Sequence, residues 1–106
     1  MSMPYLQPAV VPYVEAHRLT NPNRNPVYFK VGSRDLILFY TDDDTYGLGF
    51  NSWNGFAVQE CYQNDEYSLI YQLEQKIQQG EYLDDDPIAV EWLRYMADEL
   101  RIENVL

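Results

Sequence analysis

The chain has 106 residues, with 17 Asp and Glu against 7 Lys and Arg, a formal net charge of −10 with the one histidine neutral. A single domain, 1–106, is expected at this length, and 46% apolar with 15% aromatic residues excludes a disordered acidic tail. No apolar run approaches the ~18 residues of a membrane span and no secretory pattern opens the chain; a lone cysteine, Cys61, cannot form an internal disulfide, so a cytoplasmic location is expected.

The charge is uneven. Residues 1–34 hold Arg18, Arg24, Lys30 and Arg34 against Glu15, a net of +3, whereas residues 35–106 hold 16 acids against Lys76, Arg94 and Arg101, a net of −13. A body of that sign repels a phosphate backbone, which argues against direct nucleic-acid binding.

Five of the six prolines lie in residues 1–26, where each removes a backbone donor, so this stretch reads as a Pro-rich arm. Within it, Val11–Leu19 can form a short helix with Pro12 in its first turn, and Asn21–Pro26 reads as a loop. From Val27 the period becomes two: Val27, Phe29 and Val31 alternate with Tyr28 and Lys30, and Gly32-Ser33 makes a turn. Leu36–Tyr40 is an unbroken apolar run, expected as the central strand buried on both faces. Thr41–Thr45 ends it, because Asp side chains bond their own local backbone. Tyr46, Leu48 and Phe50 then alternate with Gly47, Gly49 and Asn51, a strand with one thin face over which something should pack closely. Asn54-Gly55 predicts a type I′ hairpin into a fourth strand over about Phe56–Tyr62.

The period next turns helical. Asn64-Asp65 offers an N-cap, Leu69, Ile70, Leu73 and Ile77 share a face, and Gly80 suits a left-handed end, predicting a helix over about 65–79. Asp86 as cap and Pro87 at the first position predict a second over about 87–102, with Ile88, Trp92, Leu93, Met96 and Leu100 as its apolar stripe. Its outer side should be laced by Arg94–Asp98 and Glu91–Arg94 pairs. The expected fold is α+β: a small antiparallel sheet of about four hairpin-linked strands (27–62), then a helical part (63–106) whose two helices pack on one face.

Catalytic chemistry finds little to work with. His17 and Cys61 do not have to meet, and a free Cys at a strand end reads as a buried, inert thiol. Asp42-Asp43-Asp44-Thr45-Tyr46-Gly47 matches a calcium loop at positions 1, 3 and 6, but Tyr46 and Trp53 fail positions 5 and 12. One Cys and one His cannot make a structural zinc site, and Gly47-Leu48-Gly49 lacks the spacing of a phosphate loop. No enzyme activity, metal or cofactor is expected.

The surplus is in acids and aromatics. One Asp suffices to cap the second helix, which leaves Asp84 and Asp85 without an evident local structural role, and Asp42, Asp43 and Asp44 form a second triplet. Ten Tyr and two Trp exceed what a small sheet requires, and Trp53 stands beside a hairpin tip. Asp42, Asp43, Asp44, Trp53, Asp84 and Asp85 are therefore the candidate partner-binding residues. The expected function is a small acidic binding module that acts as an inhibitor or regulator on a basic-surfaced protein, of the immunity, phage anti-defence or nucleic-acid-mimic kind. The alternative is a structural or regulatory subunit acting through homo-oligomerisation or a larger complex, by a thin Gly face or an open sheet edge.

Overall fold

The computed structural model describes residues 7–13, 16, 20–42, 44–53 and 55–106. It is an α+β arrangement built on one antiparallel sheet of five strands: β1 (Ala9–Val11), β2 (Val27–Val31), β3 (Arg34–Tyr40), β4 (Thr45–Ser52) and β5 (Gly55–Tyr62). Two helices follow, α1 (Leu69–Gln78) and α2 (Pro87–Leu100). Among the described residues no helix is long and apolar enough to cross a membrane.

Strands β2 to β5 follow the expected hairpin order, each paired with its predecessor, with Leu38 opposite Leu48 and Gly49 opposite Val58. The sheet has five strands where about four were expected, because the arm contributes one: Ala9, Val10 and Val11 pair with Val58, Ala57 and Phe56, giving the order β1-β5-β4-β3-β2. Pro8 and Pro12 flank this three-residue strand, and an edge position tolerates them because only one side of the backbone has to pair. The extra strand also moves the centre of the sheet to β4, so Leu36–Tyr40 lies one strand off centre. Of the helix expected over Val11–Leu19, Val11 instead ends β1, paired with Phe56, and residues 14–15 and 17–19, His17 among them, lie outside the described residues; the Ala16 N–H donates to the Pro12 carbonyl at 3.0 Å.

One sheet face carries the core. Phe29, Val31, Leu36, Leu38, Tyr40, Tyr46, Leu48, Phe50, Ala57 and Cys61 project from alternate strand positions toward Ile70 and Leu73 of α1 and Ala89, Trp92, Leu93 and Met96 of α2. Helix α1 begins later than expected: Ser68, not Asn64 or Asp65, accepts from the Ile70 N–H at 3.1 Å and caps it. Gly80 takes the expected left-handed conformation, φ +76°. Asp86 caps α2, accepting from Ile88 N–H at 2.8 Å, with Pro87 in the first turn. Arg94 forms no ion pair with Asp98 or Glu91 within 4 Å; the pairs among the described residues are Lys30–Asp35 and Lys76–Asp86. At the far end Arg34 donates to the carbonyls of Asn51, Asn104 and Val105 at 3.0–3.1 Å, tying the C-terminal segment to β4.

The thin face of β4 is filled. The Phe39 ring lies over Gly47 and the Phe56 ring over Gly49, and the two rings stack tilted at 6.1 Å. Gly55, φ +146°, is required for a different reason, since a Cβ there would stand 2.6 Å from the Val11 carbonyl of β1.

This packing makes a stability prediction. A Cβ at Gly49 would lie 2.5 Å from the Phe56 ring and 2.8 Å from the Ala57 carbonyl, so Gly49→Ala should cost about 1–3 kcal/mol as an overpacked site. Denaturant unfolding should show a lower midpoint at unchanged slope, and an unchanged midpoint would refute the close packing.

Candidate functional site

The second Asp triplet has structural work that its sequence position hides. Asp85 adopts φ +56°, a left-handed conformation that Asp tolerates better than most residues. That turn brings the Asp85 N–H to the Lys30 carbonyl at 2.8 Å and its Oδ1 to the Gly32 N–H at 2.8 Å, while Asp84 Oδ1 accepts from the Lys30 N–H at 2.8 Å. The triplet therefore pairs with the outer edge of β2, which would otherwise be open to strand addition. Asp84 Oδ2 also accepts from the Tyr82 hydroxyl at 2.6 Å. The Tyr82 hydroxyl first and the Lys30 N–H second hold the Asp84 carboxyl below the usual carboxylate range. Asp86 caps α2 and accepts from Lys76 Nζ at 2.7 Å. The expectation that Asp84 and Asp85 are surplus to the fold is thus corrected. Spacing could not show it, because the partners lie more than fifty residues away.

Asp42 has a similar local role: its Oδ1 accepts from the N–H groups of Asp44 and Thr45 and from the Thr45 hydroxyl at 2.6–2.9 Å. The Thr45 hydroxyl leads in lowering its carboxyl pKa. Asp44 is exposed and Asp43 lies outside the described residues. The two triplets do not form one face, since the β3–β4 turn and the β2–β3 turn stand at opposite ends of β3, roughly 20 Å apart for a seven-residue strand. Trp53, 93% exposed, tips the β4–β5 hairpin at the end away from Asp42, and the Asn54 of that turn is outside the described residues. It borders a groove of about 390 Å³ with Val10, Leu100, Ile102 and Asn104.

Cys61, Tyr40 and Glu74 are further titratable groups of the core. Cys61 is fully buried, and burial pushes its thiol up to about 11. Glu74, buried in α1, accepts from the Tyr40 hydroxyl at 3.2 Å and the Gln78 amide at 2.7 Å. Burial, then the Glu74 charge, raise the Tyr40 hydroxyl above its ordinary value, which keeps it a donor. The Arg24 guanidinium covers the Tyr40 ring at 3.6 Å. These contacts satisfy Glu74 and the Tyr40 hydroxyl.

A site that the sequence did not flag lies between β5, the start of α1 and α2. It is a cleft of about 320 Å³ walled by Gln59, Asp65, Tyr67, Ser68, Leu69, Trp92 and Tyr95. Trp92 forms its inner wall. The indole stands edge-on to Phe50 at 6.0 Å, and its N–H donates to Gln59 Oε1 at 2.9 Å, so both polar groups are satisfied in the interior. Asp65 belongs to the tight turn after β5, with its N–H on the Tyr62 carbonyl and its carbonyl accepting from Ser68 N–H. It is only 5% exposed, and its Oδ2 is buried without a hydrogen-bond partner among the described residues. Burial raises its carboxyl pKa, partly offset by the Tyr67 N–H. Tyr67 at the mouth is 94% exposed. On α2, Glu91 and Glu99 lie one turn to either side of Tyr95, and both are exposed, as is Glu66 next to Asp65. The sequence signal was there in part: a buried Trp needs an acceptor for its N–H, but nothing local named Gln59.

No protein-family model, curated protein or solved structure matches this chain.

The edge contacts of Asp84 and Asp85 predict a local effect. In Asp84→Ala and in Asp85→Ala, amide exchange at Lys30 and Gly32 should accelerate while Leu48, in the central strand, stays protected. Because the Asp84 carboxyl is lowered, its contribution is complete at neutral pH and is lost only as the pH falls through that lowered value. Protection of the Lys30 amide should therefore persist across the usual carboxylate range and fail below it. Exchange at wild-type rates in both variants would contradict the clamp.

Proposed function

We propose that this protein is a non-enzymatic binding module that docks on a basic-surfaced protein partner, as an inhibitor or regulator, through the face around the Tyr67–Tyr95 cleft. The observation that carries the reading is the cleft itself. Tyr67, Trp92 and Tyr95 wall it in part, the exposed Glu66 adjoins Asp65 in sequence, the exposed Glu91 and Glu99 lie one turn to either side of Tyr95, and none of its described lining residues is basic. Acids at such a rim accelerate encounter with a cationic surface, while a few aromatic anchors supply most of the affinity. This moves the proposed contact away from the two Asp triplets, whose described members are largely engaged in turn, edge and cap bonds. The −13 body supports a basic partner over a nucleic acid. The one free cysteine, buried, is compatible with a reducing cytoplasm.

A second reading, self-association, is favoured by a different observation: Trp53 is almost fully exposed beside the groove that Val10 and Ile102 help to line. The thin Gly face of β4 no longer supports it, since Phe39 and Phe56 cover those glycines.

Two measurements separate the readings. Affinity capture from the native cell at about 50 mM salt should retain a basic protein that is released near ~500 mM, because exposed charges lose their reach as the Debye length shrinks. Replacing Glu66, Glu91 and Glu99 with Gln should slow association about tenfold with that partner, whereas Asp44→Asn should not. A salt-insensitive partner would overturn the electrostatic reading. Sedimentation at micromolar concentration should show a monomer; a stable dimer dissolved by Trp53→Ser would favour self-association instead.

A further inference from the structure

We propose that the cleft is an arginine pocket, in which a guanidinium from the basic protein partner enters beside Tyr67, Trp92 and Tyr95 and pairs with the Asp65 carboxylate. The inference rests on the docking reading above and names the chemical group that would be recognised.

The starting point is the state of Asp65. A buried carboxylate oxygen without a donor is costly, and native structures rarely keep one without a reason. Three of the nearby donors are already committed. The Trp92 N–H bonds Gln59, the Ser68 hydroxyl reaches toward Cys61 while its oxygen caps α1, and the Tyr67 N–H serves the Asp65 carboxyl. None of the seven described wall residues is basic. What would complete the site is a cationic donor from outside.

The wall selects which cation. A hard metal ion needs several oxygen ligands, and the described residues contain no group of three or more acidic, His or Cys side chains able to hold one. An ammonium is a compact, strongly hydrated point charge with no planar fork to match a carboxylate. A guanidinium is planar, more weakly hydrated, presents a fork of donors to a carboxylate and is attracted to aromatic faces. The volume, about 320 Å³, admits one such head with part of its stem. Burial shields Asp65 Oδ2 from water, and the soft terminal torsion of a carboxylate allows it to turn toward an entering donor. The exposed ring of Tyr67 and the exposed Glu66, Glu91 and Glu99 extend the complementary surface beyond the pocket, as a protein partner requires and a free amino acid does not.

The test uses Nα-acetyl-L-arginine methylamide as probe, with the citrulline analogue as its uncharged isostere, titrated into the full chain and followed by amide and indole NMR. Arginine should produce saturable shifts confined to the Gln59 side chain, residues 65–69, the Trp92 indole N–H and Tyr95, and citrulline should produce none. Affinity should be in the millimolar range, as befits a single side chain. Asp65→Asn should weaken it at least about tenfold by removing the charge-assisted pair. Tyr67→Ala, a change at an exposed ring that leaves the core untouched, should also weaken it. Because burial raises the Asp65 carboxyl, binding should decline as the pH falls from neutral before the ordinary carboxylate range is reached. Equal shifts with arginine and citrulline, shifts unaffected by both variants, or shifts centred on Asp42 or Asp84 would overturn the proposal. If capture of a salt-sensitive partner persists while the probe fails, the pocket assignment falls and the docking reading stands. If the probe binds at Asp65 and the captured partner is indifferent to salt, the pocket stands and the docking reading falls.

Discussion

The contact between Trp92 and Gln59 holds the two layers of this protein in place. The indole is almost completely buried against the sheet, edge-on to Phe50, and its one polar atom is satisfied by a glutamine projecting from β5. An amphipathic helix can slide or rotate over an apolar sheet face at little cost, whereas a buried hydrogen bond with a defined donor and acceptor fixes one docking. With α2 fixed in this way, Met96 and Leu93 fill the layer between helix and sheet, and Tyr95 is set at the border where the cleft opens. The candidate recognition site is thus a by-product of how the core closes.

Acidic residues divide into two populations under this constraint. Asp42, Asp84, Asp85 and Asp86 accept backbone or side-chain donors and serve turns, a strand edge and a helix start. Others stand exposed, such as Glu66 beside Asp65 in sequence and Glu91 and Glu99 one turn from Tyr95. A net charge of −10 therefore does not mark a single acidic face. The Lys76–Asp86 pair illustrates the first population: burial works to raise the Asp86 carboxyl, but the Lys76 ammonium and the Ile88 N–H outweigh it and hold it low. The same contact couples the end of α1 to the start of α2.

What could be read in the sequence follows from the range of the interactions involved. Strands β2 to β5 were legible because alternation and tight turns are local, and α2 was legible because its cap, proline and stripe lie within one segment. Strand β1 was missed because only three residues pair, between two prolines, with a partner almost fifty positions away. The β-branched pair Val10-Val11 was the available signal. The clamp by Asp84 and Asp85 was missed for the same reason, and its acids were read as surplus because a cap explains only one of them. The thin face at Gly47 and Gly49 was legible as a place of close packing, while the identity of the covering rings, Phe39 and Phe56, depended on register. Tyr67 gives no helical-spacing signal, because α1 starts two residues beyond it.

The central claim is that the Trp92–Gln59 contact fixes the layers and so builds the cleft wall. A double-mutant cycle over Gln59→Leu and Trp92→Phe, read by denaturant unfolding, tests it most directly. The account predicts a coupling of about 1–3 kcal/mol, since either single change leaves a buried polar group without its partner. Additive losses, with no coupling between the two positions, would contradict it.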